Sequence, residues 1–298
     1  MTLVKSLYAG IATASFVLAA LPAAAEDDVK IVASFSILGD MVEEVVGDLA
    51  TVTTIVGPDA DAHVYQPSVA DARAVAQADI IFVNGLGFET WSDTLISESG
   101  TEATVHVATA GITPVKVDGM TDPHAWNSLS NGVIYVTNVA AAMKEAMPEH
   151  AGEITANADA YIAELEALDA ETKSKLADLP ANRRTVVTAH DAFGYLADAY
   201  GLTFLAPVGI ATEAEPSAKD LAVLIDQLKA EGAAALFVEN ITSPALVQQI
   251  SEETGIVIGG RLFSDALSER GGPATSYLTM FQHNLGTLLD ALAHETAS

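Results

Sequence analysis

From Val29 onward, short apolar and β-branched runs alternate with segments whose apolar residues recur every three or four positions. Val29–Ser34, Thr51–Val56, Asp79–Asn84 and Thr104–Val107 read as strands. Ile37–Asp48, Ser68–Ala78, Phe88–Glu98 and Gly132–Met147 read as helices. The same alternation resumes further along. Strands are expected at Thr185–Ala189, Leu202–Pro207, Ala234–Val238 and Gly255–Gly259, and helices at Ala192–Tyr200, Ser217–Glu231, Pro244–Thr254 and Ala274–His294. Such a pattern predicts an α/β fold, with parallel sheets flanked by helices on both faces.

Between the two series lies His150–Leu179, whose apolar residues Ile154, Ala158, Tyr161, Ile162, Leu165, Leu168, Leu176 and Leu179 mark one helix face. Acidic residues and lysines fill most of the remaining positions, so the stripe is narrow and the back is solvated. No Gly or Pro interrupts Glu153–Leu179, and Pro180 supplies a stop. At ~1.5 Å per residue this is a rod of roughly 43 Å. It is either a long amphipathic helix within one domain or a backbone helix joining two lobes, and the similar alternation on each side favours the second. The chain then divides into a leader (1–25), an N-terminal α/β lobe (26–148), the linking helix (149–180) and a C-terminal α/β lobe (181–298). One stiff connector predicts a small relative motion of the lobes, with loops such as those carrying His124 or Asp265 making the adjustment.

The first residues change the picture of where the protein works. Lys5, the apolar run Leu7–Leu21 and the small residues Ala23-Ala24-Ala25 have the layout of a cleavable export signal, cut after Ala25. The chain has no cysteine, so it contains neither a disulfide nor an acceptor for a thioether-linked lipid. The expected product is a periplasmic protein without a lipid anchor, held by its buried core and by any ligand. Its 40 acidic and 13 basic residues give a net charge of −27. That imbalance disfavours nucleic acid and anionic membrane surfaces as partners, and it attracts cations without selecting one.

Parallel α/β sheets hold ligands beyond the carboxyl ends of their strands. His63 lies in a Gly/Pro/Asp turn after Val56, His190 follows the strand Thr185–Ala189, and Asp265 sits in the loop after Gly259. His124 falls in the break Asp122-Pro123-His124-Ala125-Trp126. Three imidazoles and one carboxylate form a donor set suited to a closed tetrahedral zinc site, though spacing alone is a weak signal. Glu239 and Asp191 are candidates to orient the ligands from behind, with a solvated loop acid as the plainer alternative for each, and Trp126 could wall the site or simply pack. His106 reads as packed or half-exposed on its strand, and His150 as solvent-facing. His283 and His294 share the last helix.

The ordered set Gly57-x-Asp59-x-Asp61-x-His63-x-Tyr65-x-Pro67, Asn84-Gly85-Leu86-Gly87, Asp122-Pro123-His124-Ala125-Trp126 and Thr188-Ala189-His190-Asp191-Ala192-Phe193-Gly194-Tyr195 resembles a known family. Glu215-Pro216-Ser217, Phe237-Val238-Glu239-Asn240 and Ser264-Asp265-Ala266-Leu267 extend the match over nearly the whole chain after the leader. The resemblance is to the zinc/manganese solute-binding proteins of ABC importers, cluster A-I. It implies two α/β lobes bridged by one long helix, with the metal between them and His63, His124, His190 and Asp265 as ligands. It further implies a monomeric carrier rather than an enzyme, with a membrane permease and an ATPase as partners and room for a periplasmic metallochaperone. Two departures bear on the metal. The long His- and acid-rich loop of many zinc-type members has no counterpart in Thr113–Asp122, and His190 stands where manganese-type members usually carry Glu. An imidazole there favours Zn2+ over the harder Mn2+, which remains the alternative.

An exported zinc hydrolase is a more distant reading, since catalytic zinc keeps one position open for water and the chain has no His-Glu-x-x-His pattern. A Gly-x-Ser-x-Gly nucleophile elbow is absent as well. A carrier of an organic solute, or an adhesin on the same scaffold, is the other competing class.

Overall fold

The computed structural model describes residues 29–214 and 216–293; the leader 1–25 with its cleavage site, Glu215 and His294 lie outside the described residues. Two four-stranded parallel sheets organise the chain. In the N-terminal half, β1 (Val29–Phe35), β2 (Ala50–Val56), β3 (Ile80–Val83) and β4 (Thr104–Val107) line up as β2-β1-β3-β4. Apart from Lys30 and Ser34 the two inner strands are apolar, and Ile31–Phe35 and all of Ile80–Val83 are buried, as strands covered on both faces must be. Helices α1 (Ser36–Val46), α2 (Val69–Ala76), α3 (Ser92–Ser99) and α4 (Leu129–Ala146) accompany this sheet.

Thr113–Asp122 contains a two-stranded hairpin, β5 (Lys116–Val117) with β6 (Met120–Thr121). Its turn residues Asp118 and Gly119 both adopt positive φ, 50° and 84°. Asp-Gly is a strong hairpin signal, and the sequence reading passed over it in treating the segment only as a short stretch without histidine.

Helix α5 (Ala151–Ala177) is the predicted long helix, 27 residues and therefore about 40 Å. Its buried residues Ile154, Ala158, Tyr161, Leu165, Leu168, Thr172 and Leu176 form the expected stripe. The carbonyls orphaned at its C-terminus are taken by Arg184, whose Nη2 donates to Leu176 (2.9 Å), Ala177 (3.2 Å) and Leu179 (3.0 Å). α5 packs on α1 and α4 on one side and, on the other, on α6 (Gly194–Tyr200) and α9 (Tyr277–Ala293). Of the two readings left open, the structure has the helix joining two lobes, set within a core that runs without a break from Ile31 to Leu292.

The C-terminal sheet comprises β7 (Thr185–Val187), β8 (Thr203–Leu205), β9 (Ala235–Glu239) and β10 (Ile258–Leu262), in the order β10-β9-β7-β8. A second, smaller core of Val187, Leu224, Ile225, Leu228, Leu236, Val247 and Ile250 lies under α7 (Ala218–Glu231) and α8 (Ala245–Thr254).

Several boundaries differ from the sequence reading, each for a local reason. α3 starts four residues later than expected because Leu86 (φ 57°) and Gly87 (φ 84°) turn the chain and Phe88 is drawn into the interior. Gly255 (φ 75°) caps α8 in the left-handed region, so β10 begins only at Ile258 instead of at Gly255. His190–Ala192 forms a turn, with Asp191 N–H donating to the Gly209 carbonyl at 3.2 Å, which delays α6 to Gly194. Among the described residues, no helix is long and apolar enough to cross a membrane.

Candidate metal centre

His63, His124, His190 and Asp265 come together between the two sheets, each offering one donor atom, all within 4.8 Å of one another. The structure therefore brings together all four residues singled out from the sequence. His63 lies on the loop after β2 and His124 just before the turn Ala125–Asn127; His190 follows β7 and Asp265 follows β10. Relative exposures are 5% for His63 and 0% for the other three, so the cluster is closed to solvent.

The separations are those of a coordination shell. His63 Nε2 is 3.2 Å from His124 Nε2 and 3.3 Å from Asp265 Oδ2. His190 Nε2 is 3.2 Å from Asp265 Oδ2, and His124 Nε2 is 3.7 Å from Asp265 Oδ1. A tetrahedral ion with bonds of ~2.0–2.1 Å has ligand–ligand edges of ~3.3 Å. Both Asp265 oxygens and His190 Nε2 are buried without a well-directed hydrogen bond in the protein. Unsatisfied buried polar atoms require an explanation, and a cation at the centre of the four residues would supply one.

Two of the imidazoles are backed by buried carboxylates. His124 Nδ1 is 2.8 Å from Asp122 Oδ1, which also accepts the His124 backbone N–H at 2.9 Å. That contact assigns the proton to Nδ1 and leaves the Nε2 lone pair facing the site. His190 Nδ1 lies 2.5 Å from Glu239 Oε2, an ion pair set off the hydrogen-bond line. Glu239 Oε1 accepts the N–H groups of Ala189 (2.7 Å) and His190 (2.9 Å), fixing the strand end that carries the His190 imidazole. Glu239 thus occupies the supporting position suggested from the sequence, whereas Asp191 is only half-buried and Glu239 is the acid at His190 Nδ1.

Asp122 was missed. The signal lay in Asp122-Pro123-His124, where an Asx turn across a proline places the carboxylate against the imidazole two residues on.

The charges are coupled. Burial alone would lower the pKa of His190, but the Glu239 and Asp265 carboxylates outweigh it and hold the imidazole well above its usual range. Burial would likewise raise Asp265, yet His190 and His124 hold it well below the usual carboxylate range. A divalent ion bound here would therefore compete with a proton for the His190 lone pair.

An aromatic wall excludes water on the N-terminal side. The Phe88 ring is 4.9 Å from His63 and 4.7 Å from Trp126, and Trp126 is 5.4 Å from His124. The remaining described histidines lie elsewhere. His106 is half-buried beside Phe82, His150 is partly exposed next to Glu149, and His283 Nε2 sits 3.0 Å from the Arg261 carbonyl.

Comparison with known proteins gives concordant results. The iron-binding protein YfeA of Yersinia pestis is 35% identical over 266 residues, which is 87% of this chain and 85% of that protein. The manganese-binding lipoprotein MntA of Halalkalibacterium halodurans is 31% identical over 268 residues, 90% of this chain and 89% of that one. Among solved structures, the periplasmic zinc-binding protein TroA of Treponema pallidum superposes with a TM-score of 0.86 at 29% identity, covering 90% of this chain and all of the other. The sequence model described as ZnuA, zinc-uptake complex component A, periplasmic, matches residues 31–291, and the chain belongs to that family of metal-binding solute-binding proteins.

Proposed function

We propose that the protein captures one divalent transition-metal ion in the periplasm, zinc by preference, and hands it to the permease and ATPase of an ABC importer. The observation that carries this reading is the buried cluster of three imidazole nitrogens and one carboxylate, with donors within 4.8 Å. His63, His124, His190 and Asp265 are assigned as the ligands. Three nitrogens and one oxygen in a closed shell suit zinc, with its flexible preference for nitrogen and oxygen donors in four-coordination.

Manganese, or use of both metals, is the second reading. Asp265 directs one oxygen toward His124 and the other toward His63 and His190, so a bidentate carboxylate could raise the coordination number. The relatives carry iron, manganese and zinc in their names, and kinship therefore does not choose the metal.

The role is carriage without bond-making. Four protein donors fill a tetrahedron and leave no position for an activated water. The nearby acids Asp122 and Glu239 are both engaged behind histidines and are not placed as free general bases. We place the protein free in the periplasm after removal of residues 1–25, as a monomer. MntA is by name a lipoprotein, but this chain has no cysteine to carry a thioether-linked lipid. A metallochaperone donor is compatible with this scheme.

Competition titration of metal-free protein tests the assignment. One ion per chain and displacement of Mn2+ by Zn2+ are expected; a protein that takes up neither ion stoichiometrically is not the zinc or manganese carrier proposed.

A further inference from the structure

Ligands with exposures of 0–5% cannot exchange an ion unless some covering segment moves. The hydrogen bonds between the lobes are unevenly distributed over the candidates. The Asp265 loop is fastened to the N-terminal lobe: Leu267 N–H donates to Ser36 Oγ (3.0 Å), Asp59 N–H to the Leu267 carbonyl (2.8 Å) and Glu269 N–H to Asp59 Oδ2 (3.2 Å). Trp126 Nε1 adds a bond to the Ser264 carbonyl at 2.7 Å. The start of α6 is also held, by Asn127 on the Ala192 carbonyl (2.9 Å) and by the Tyr195 hydroxyl on the Asp122 carbonyl (2.9 Å).

Val208–Ala214 is held differently. This strap follows β8 and is laid beside the His190 turn by Val208 N–H to Ala189 (3.4 Å) and Asp191 N–H to Gly209 (3.2 Å). Among the described residues, its one hydrogen bond to the N-terminal lobe is from the Thr212 hydroxyl to Asp61 Oδ2, at 2.6 Å. The other oxygen of that carboxylate accepts the His63 backbone N–H at 2.9 Å. A cavity of about 190 Å³ opens here, bordered by Asp61, Ala189, Val208, Thr212 and Thr242. One carboxylate thus connects a ligand-bearing turn of one lobe to the strap over a ligand of the other. The cavity beside it offers oxygen donors suited to a partly hydrated cation.

We propose that the Asp61–Thr212 hydrogen bond is the gate of metal exchange, with both side chains acting as positioning residues and the cavity as the way in and out. The inference rests on the metal-carrier reading above. It moves the adjusting element from the Asp265 loop, which is pinned, to the Val208–Ala214 strap.

The test times Zn2+ uptake by the metal-free protein and Zn2+ release from the loaded protein into an excess of chromogenic chelator, by stopped flow. Thr212→Val keeps the shape and removes the donor. Losing a hydrogen bond to a charged acceptor should accelerate both uptake and release by about tenfold, with affinity changing much less than either rate. Thr212→Ser should restore wild-type rates. A purely structural role would predict faster release and weaker binding without faster uptake, and that result overturns the gate. So does wild-type exchange in Thr212→Val, or equal acceleration in the Val and Ser variants. If Thr212→Val does not fold, Thr212→Ala removes the same donor and leaves Asp61 on His63, with the same outcomes. Failure of the wild-type protein to take up zinc or manganese would instead remove the carrier reading itself.

Discussion

The indole Nε1 of Trp126 donates to the carbonyl of Ser264 at 2.7 Å, joining the residue two positions after His124 to the residue one position before Asp265. This buried bond ties the segment that carries His124 to the loop that carries Asp265, beside the bonds to Ser36 and Asp59 that also hold that loop. The Tyr277 hydroxyl donates to the Trp126 carbonyl at 2.5 Å and carries the constraint into α9. Trp126→Phe keeps a smaller aromatic ring against the site, deletes the donor and empties part of the buried indole volume, leaving the Ser264 carbonyl unpaired. We expect a loss of about 1–3 kcal/mol in stability and a roughly tenfold fall in zinc affinity, read by chemical denaturation and by chelator competition.

Glu239 has two tasks: Oε1 holds the backbone at Ala189 and His190, and Oε2 faces His190 Nδ1. Because Glu239 and Asp265 keep His190 protonated in the absence of metal, zinc binding near pH 7 should expel that proton. Affinity should therefore rise with pH. Glu239→Gln should lower affinity by about 10–100-fold and reduce the number of protons released. Calorimetry in buffers of different ionisation enthalpy measures both.

Gly194 opens α6 where a Cβ would come within 2.5 Å of Asp122 Oδ2. Gly194→Ala should push Asp122 away from His124 and weaken zinc binding about tenfold without altering any ligand. Equal affinity in titrations of the variant and the wild type would mean that Asp122 does not support His124.

The four clustered residues were legible because each stands in a break after a strand or before a helix, where a parallel sheet presents its binding residues. The long helix was legible because a stripe from Ile154 to Leu176 without Gly or Pro has few alternatives. What was hidden depends on distant backbone. Trp126 finds a carbonyl 138 residues away, and Thr212 finds Asp61 across 151 residues. No periodicity encodes such pairs, so Trp126 could be read only as a wall or packing. The late start of β10 was hidden for another reason, since Gly255 serves as a helix cap although its apolar neighbours look like the beginning of a strand.

Asp40 on α1 ties both lobes to the long helix. Its Oδ2 accepts the Tyr277 N–H at 2.8 Å and the Tyr161 hydroxyl at 3.4 Å. Burial pushes its pKa up from 3.8 to about 7, with Glu44 and Glu43 adding to the rise and the Tyr277 hydrogen bond opposing it. The folded protein thus holds a proton that the unfolded chain releases near pH ~4, and stability falls as pH rises from there through 7. Asp40→Asn keeps an acceptor and removes the penalty. Its Tm should exceed that of the wild type by about 3 °C or more at pH 8, with the difference closing toward pH 4. Parallel Tm profiles for the two proteins would mean that Asp40 is ionised throughout.

Anomalous diffraction at the zinc edge, on crystals of the zinc-loaded protein, tests the four-residue site most directly. The account predicts one strong peak between the sheets, about 2.0–2.2 Å from the Nε2 atoms of His63, His124 and His190 and from a carboxylate oxygen of Asp265. A peak lying elsewhere, or one that leaves any of these four side chains outside the coordination shell, would contradict it.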